Sequence, residues 1–118
     1  MALKRSCLAL DLVDDENLIA AYEQYHRPDQ IWPEIPAGIR EAGIADMQIY
    51  RIGTRLFMIV DYDENTSLSA AFRKMGTFPR QPEWGMLMHG FQKVLPEAQP
   101  GEHWAEMKPV FLLKDCIQ

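Results

Sequence analysis

Nowhere in this chain do 18 apolar residues follow one another, so no segment is long enough to span a bilayer as a helix. The amino-terminal stretch carries an early Lys4-Arg5 pair, but Asp11 interrupts its apolar run and Asp14, Asp15 and Glu16 follow. It lacks the long apolar region and small-residue cleavage site of a secretory signal, so a cytoplasmic location is the expectation. Cysteine is scarce. Cys7 and Cys116 lie at opposite ends with no C-x-x-C spacing and no histidine cluster beside them. They read as reduced structural thiols, which argues against a disulfide framework and against a structural zinc site. Positive charge is also short, with 12 Lys and Arg against 17 Asp and Glu, a net charge of −5. Nucleic-acid binding wants a basic stripe that displaces counterions from phosphates. The densest basic pairs, Lys4-Arg5 and Arg73-Lys74, are short and flanked by apolar residues. Neither nucleic acid nor a membrane is an expected partner. There is no glycine-rich phosphate loop, no nucleophile elbow and no metal-ligand spacing, so no cofactor and no metal are expected. Glu34, Glu83 and Glu106 are too far apart in sequence to read as a carboxylate pair.

What is present is the composition of an ordinary globular protein. Of 118 residues, 47% are hydrophobic and 25% charged, close to the averages for globular domains. No repeat or low-complexity linker divides the chain, so residues 1–118 are read as a single domain that can bury one core without staples.

Lys4 to Leu12, rich in Leu, Ala and Cys, is too short for a helix before the acidic break and reads as a buried first strand. Asp14-Asp15-Glu16-Asn17 then places a capping Asp and acids where a helix dipole favours them. Leu18, Tyr22, Tyr25 and His26 follow at i, i+4, i+7 and i+8 on one stripe, and Pro28 ends the helix. Pro33 suits the first position of a short second helix with Ile35, Ile39 and Ala42 inward and Gly43 as its stop. Met47 to Ile52 and Arg55 to Tyr62 are strands joined by the Gly53-Thr54 turn, the clearest hairpin in the chain. Thr66 is the expected cap of a helix carrying Leu68, Phe72 and Met75, stopped by Gly76. Pro82 opens a longer helix in which Trp84, Leu87, Met88, Phe91 and Leu95 form one stripe. Pro96 to Gly101 is a loop, and Val110 to Leu113 a final strand. The order is the ferredoxin-like βαββαβ plan, an α+β fold with a four-stranded antiparallel sheet and helices on one face. Apolar residues occupy both alternating sets of the strand around Leu56 to Val60, so the bare face also wants cover. A symmetric homodimer supplies it.

Three histidines could move protons. His26 is the unusual one, lying on the apolar stripe of its helix one turn after Tyr22, so the two side chains can meet. A helix C-terminus favours its charged form and an apolar pocket its neutral form. Two readings stand: a cap bonded to the last carbonyls of the helix, or a proton carrier in a pocket. His89 reads as a surface or rim residue and His103 as structural or exposed. Trp32, Trp84 and Trp104 suit the core, yet flat aromatic faces are also what binds sugar rings.

The block Tyr22-x-x-x-His26-x-x-x-x-Ile31-Trp32-Pro33-Glu34, followed by Gly43 and Ile49-Tyr50, resembles the L-rhamnose mutarotase family. Leu56-Phe57-Met58, the Trp84 helix running to Val94-Leu95-Pro96, and Met107 to Leu112 continue the likeness over nearly the whole chain. The resemblance implies a dimeric α/β-barrel enzyme that interconverts the α and β anomers of a 6-deoxy sugar, with no cofactor or metal. It implies His26 as general acid and base and Tyr22 as its pocket partner. The family pattern places a tyrosine near position 47 and a Trp-Trp pair near 83 and 84, where this chain has Met47 and Glu83-Trp84. These departures leave the His–Tyr pair intact and bear on which sugar is taken, relatives acting on L-fucose being known. The expected substrate contacts are Tyr22, Trp32, Met47, Glu83 and Trp84.

Two other classes share this fold: a cofactor-free oxygenase that also uses a pocket histidine, and a non-catalytic dimeric ligand-binding module in which His26 is only a cap. The first would act on a large aromatic quinol and not on sugars. The second would accelerate no anomer exchange.

Overall fold

The structure is a computed structural model and describes residues 2–117. In chain order it contains β1 (Leu3–Leu12), α1 (Glu16–Tyr25), α2 (Glu34–Glu41), β2 (Ile44–Ile52), β3 (Arg55–Asp63), α3 (Leu68–Met75), α4 (Gln81–His89), β4 (Gln92–Lys93) and β5 (Ala105–Glu106). The strand order is β2-β3-β1-β4, with β5 also on β1, and every pairing is antiparallel. This is the α+β, ferredoxin-like arrangement, with its fourth strand reduced to two short pieces. β4 pairs with Asp11 and Leu12, and β5 with Leu8 and Ala9. No helix among the described residues is long and apolar enough to cross a membrane.

Local chemistry sets most of these elements. Asp15 caps α1 by accepting from the Leu18 amide at 3.0 Å. Gly43, just past α2, has φ 92, the left-handed conformation that ends a helix without steric cost. Gly53 has φ 58 at the first central position of the β2–β3 turn, as a type II′ connection requires. α3 is capped by Ser67, whose Oγ accepts from Ala70 at 3.1 Å, and not by Thr66. Thr66 is taken up one residue earlier in the turn leaving β3, where its amide bonds the Asp63 carbonyl.

Two further expectations need correction. The helix opened by Pro82 stops at His89 with Gly90 as its cap and does not reach Leu95. Phe91 and Leu95 are buried for other reasons: Phe91 packs with Leu10 and Tyr22, and Leu95 packs with Ala9 and Ala105. The final strand is Ala105–Glu106, not Val110 to Leu113. The Met107 amide still bonds the Cys7 carbonyl at 2.7 Å. Pro109 has no amide hydrogen to continue the ladder, and the chain leaves the sheet. Val110 is 96% and Phe111 70% exposed.

Alternation divides the sheet. Leu8, Leu10, Leu12, Leu56, Met58, Val60 and Tyr62 are buried beneath the helices. In β2 the register slips between Ile44 and Asp46, so that Ile44 lies opposite Tyr62 but Met47 lies opposite Val60. This bulge at Ala45 changes the parity of the strand and turns Met47 and Ile49 inward. The opposite face has half-buried Cys7, Phe57 and Ile59 at its centre, between the ion pairs Arg5–Asp61 and Arg55–Asp11. Among the described residues its corner at Ala9 is covered, by Leu95 and Ala98.

Candidate active site

A cavity of about 1500 Å³ opens on the helix side of the sheet. Met47, Ile49, Leu56 and Met58 form its floor, and α1, α2 and α4 its walls. Its lining is mostly apolar, with Tyr22, His26, His89, Gln92 and His103 gathered where α1, α4 and β4 meet and the charged side chains of Arg40, Asp46 and Arg51 along α2 and β2. That combination suits a small organic ligand that must be oriented.

Tyr22 and His26 reach the cavity from the last turn of α1. Their four-residue spacing puts both on one helical face, and their rings lie 4.3 Å apart. The His26 Nδ1 is 2.7 Å from the Tyr22 carbonyl oxygen, which can only accept. Nδ1 therefore carries the hydrogen, and Nε2 of the neutral ring is left with a free lone pair. The two readings of His26 are thus compatible: one nitrogen caps the helix and the other remains a base. Burial pushes the His26 pKa below its ordinary 6.5, outweighing the Tyr22 carbonyl, which pulls the other way. The ring is held neutral, as a base requires. Burial pushes the Tyr22 phenol up to about 12, against a smaller opposing effect of Gln92, so it stays protonated and able to donate.

Trp84 packs edge-on against His26 at 5.3 Å and lines the cavity, as does Met47. Trp32 and Glu83 do not line it. Trp32 stands behind Trp84 with ring centroids 5.2 Å apart, and the Arg80 guanidinium covers its other side at 3.8 Å. Arg80 holds a left-handed backbone, φ 65, just ahead of α4, and its guanidinium also reaches Glu34. Glu83 is exposed on the solvent side of α4.

His103, expected to be structural or exposed, and Trp104, weighed between the core and a sugar-binding face, both line the cavity, as does Gln92, which the sequence did not single out. His103 Nε2 is 2.6 Å from Gln92 Oε1, and Gln92 Nε2 is 3.5 Å from the Tyr22 hydroxyl. His89 also lines the cavity and stacks on His103 at 4.8 Å. No local signal marks Gln92: Phe91 to Val94 reads apolar, polar, polar, apolar, which is not a strand's alternation, and β4 is only two residues long. Among the described residues no three His, Cys, Asp or Glu side chains converge as a metal site.

The family model for L-rhamnose mutarotase matches residues 5–113. This chain belongs to the L-rhamnose mutarotase family. Mutarotases are isomerases acting on sugars, and the chain is an enzyme of that kind. It is 42% identical over 117 residues to the L-fucose mutarotase of Xanthomonas campestris pv. campestris, covering 99% of this chain and 94% of that one. It is 36% identical over 107 residues to a UPF0734 protein of Dictyostelium discoideum, covering 87% and 84%. Its fold is similar to the crystal structure of L-rhamnose mutarotase FA22100 from Formosa agariphila. The TM-score is 0.62 at 18% identity, over 93% of this chain and 98% of that one. The mutarotase fold thus places the Tyr22–His26 pair of α1 against a cavity walled by Trp84 and floored by Met47.

Proposed function

We propose that the enzyme interconverts the α and β anomers of a 6-deoxy-L-hexose, L-fucose ahead of L-rhamnose, with His26 as the proton-transferring base. The observation that carries the assignment of His26 is its Nδ1 bond to the Tyr22 carbonyl at 2.7 Å, which leaves Nε2 free on the cavity wall. The preference for L-fucose is supported by the 42% identity to an L-fucose mutarotase and by Met47 in place of the tyrosine of the rhamnose pattern.

In the reaction, His26 Nε2 takes the proton of the anomeric hydroxyl. The electron pair of that O–H becomes the second C1–O bond, the bond from C1 to the ring oxygen breaks, and the ring oxygen takes a proton from the Tyr22 hydroxyl. The open-chain aldehyde turns about C1–C2. Closure on the other face returns the ring-oxygen proton to Tyr22 and the imidazolium proton to the new anomeric oxygen. A phenol at about 12 is a weak acid like the sugar hydroxyl it exchanges with, so neither direction is steeply uphill. General acid–base help of this kind gives about 10² to 10⁴ in rate. Trp84 offers a flat face to the ring C–H bonds, and Trp32 stiffens it from behind.

The working form is a homodimer built on the bare sheet face, where Cys7, Phe57 and Ile59 are half-buried; the apolar residues of the carboxyl-terminal arm, Val110 to Leu113, are exposed as well. A cytoplasmic location agrees with two free thiols, Cys7 and Cys116. The test is saturation-transfer NMR on L-fucose, L-rhamnose and a set of D-sugars. Exchange between anomers should quicken with protein for the 6-deoxy-L-sugars, most for L-fucose. Acceleration confined to D-sugars, or absent, rejects the assignment.

A further inference from the structure

The reaction above needs the Tyr22 hydroxyl to give its hydrogen to the sugar, yet a hydroxyl can turn to any acceptor beside it. Tyr22 is buried, and its hydroxyl has one hydrogen-bond partner among the described residues, Gln92 Nε2 at 3.5 Å. That amide nitrogen carries only hydrogens, so the phenol oxygen must accept there. Its own hydrogen finds no acceptor among the described residues and is left for a partner in the cavity that Tyr22 lines. With the Gln92 amide turned this way, its Oε1 lies 2.6 Å from His103 Nε2. An amide oxygen only accepts, so His103 must carry its hydrogen on Nε2. The His103 ring is itself fixed by stacking on His89 at 4.8 Å and 21°.

We propose that His103 and Gln92 are positioning residues that aim the Tyr22 hydroxyl hydrogen at the ring oxygen of the bound sugar. The chain of donors runs one way: His103 Nε2–H to Gln92 Oε1, Gln92 Nε2–H to the Tyr22 oxygen, Tyr22 O–H to substrate. It accounts for the divided fourth strand. β4 and β5 pair with neighbouring stretches of β1, Asp11–Leu12 and Leu8–Ala9, and this brings residues 92 and 103 side by side on one wall. Burial, with the nearby His89 adding to it, lowers the His103 pKa, so the chain is uncharged at neutrality and does not draw Tyr22 toward phenolate. Gln92 and His103 act through Tyr22 and transfer no proton. The proposal deepens the mutarotase reading of this cavity and rests on it.

Two measurements test it. Nitrogen-15 NMR of the wild-type enzyme reports which His103 nitrogen bears the hydrogen, whether or not any sugar turns over. The expected result is a protonated Nε2 and a bare Nδ1; a bare Nε2 reverses the chain and overturns the proposal. The second is a double-mutant cycle on anomer exchange. Gln92→Glu keeps the shape but replaces the donor facing Tyr22 with an acceptor, so the phenol hydrogen is drawn away from the sugar. The kcat should fall by about tenfold or more, with KM moving less. In a Tyr22→Phe background the same change should cost under about twofold, because there is no hydroxyl left to aim. An equal fall in both backgrounds, or no fall in either, overturns the proposal. A wild-type enzyme that exchanges no sugar rejects the mutarotase reading, and the tautomer of His103 still decides the polarity of the chain.

Discussion

His26 divides two duties between its two ring nitrogens, and the division has consequences that pH can read. Because burial lowers its pKa, the neutral base persists below the ordinary 6.5. Anomer exchange should therefore hold constant through neutrality and fall on the acid side, with a midpoint below 6.5 in a pH–rate profile. Stability should follow the same direction. Between the unfolded value and the lowered folded one, the unfolded chain binds a proton that the folded chain refuses, so stability rises with pH through that window and is complete above it. His103, lowered by burial and by His89, adds to the same window. Denaturant melts at a series of pH values between 4 and 8 should show this loss on acidification, and His26→Ala should shrink it. Met47 makes a different kind of prediction, because it lines the cavity floor and transfers nothing. Met47→Tyr should shift the ratio of L-rhamnose to L-fucose exchange rates by about 10- to 200-fold, the size of one pocket contact. A ratio unchanged by the substitution removes Met47 from the sugar's surroundings.

Helices α2 and α4 are joined by one buried side chain. Gln81 Nε2 donates to the carbonyls of Glu34 at 3.2 Å and Ile35 at 3.1 Å, and Gly38 makes room for it. A Cβ at Gly38 would lie 2.4 Å from Gln81 Nε2. In an exposed helix, Gly→Ala stabilises by about 0.5–1 kcal/mol. Here Gly38→Ala should destabilise by about 1–3 kcal/mol, because the strut is displaced and its donors are stranded. Chemical denaturation decides the sign, and a stabilised variant refutes the strut. In sequence Gly38 is only a helical glycine, whereas the elements built on local signals were legible. A capping Asp, Pro33, Gly43 and the Gly53-Thr54 turn mark α1, α2 and the β2–β3 hairpin from within their own few residues. The end of α4 was not, because Phe91 and Leu95 fall on a helical spacing by coincidence and are buried by different partners on different sides of the sheet. Two-residue strands such as β4 and β5 have no period to read. The site divides in the same way. Tyr22 and His26 are one turn apart on one helix, so their meeting was written in their spacing. Gln92 and His103 meet only because β1 pairs with both short strands, and no local pattern announces that.

At the scale of the molecule, one sheet face carries the cavity and the other carries half-buried Cys7, Phe57 and Ile59. If a second copy covers that face, sedimentation velocity at micromolar concentration should give a dimer, and Ile59→Lys should give a folded monomer. A wild-type monomer under the same conditions rejects the homodimer and leaves the cavity chemistry standing. The chemistry itself is tested most directly by NMR magnetisation transfer between the anomers of L-fucose, comparing wild type with His26→Ala. The variant should keep its fold, since the neutral ring contributes one hydrogen bond to the Tyr22 carbonyl, about 0.5–1.5 kcal/mol, beside its packing on Tyr22 and Trp84. Its exchange rate per folded molecule should fall by about two orders of magnitude or more. A folded His26→Ala protein that exchanges L-fucose anomers as fast as wild type would contradict the assignment of His26 as the proton carrier.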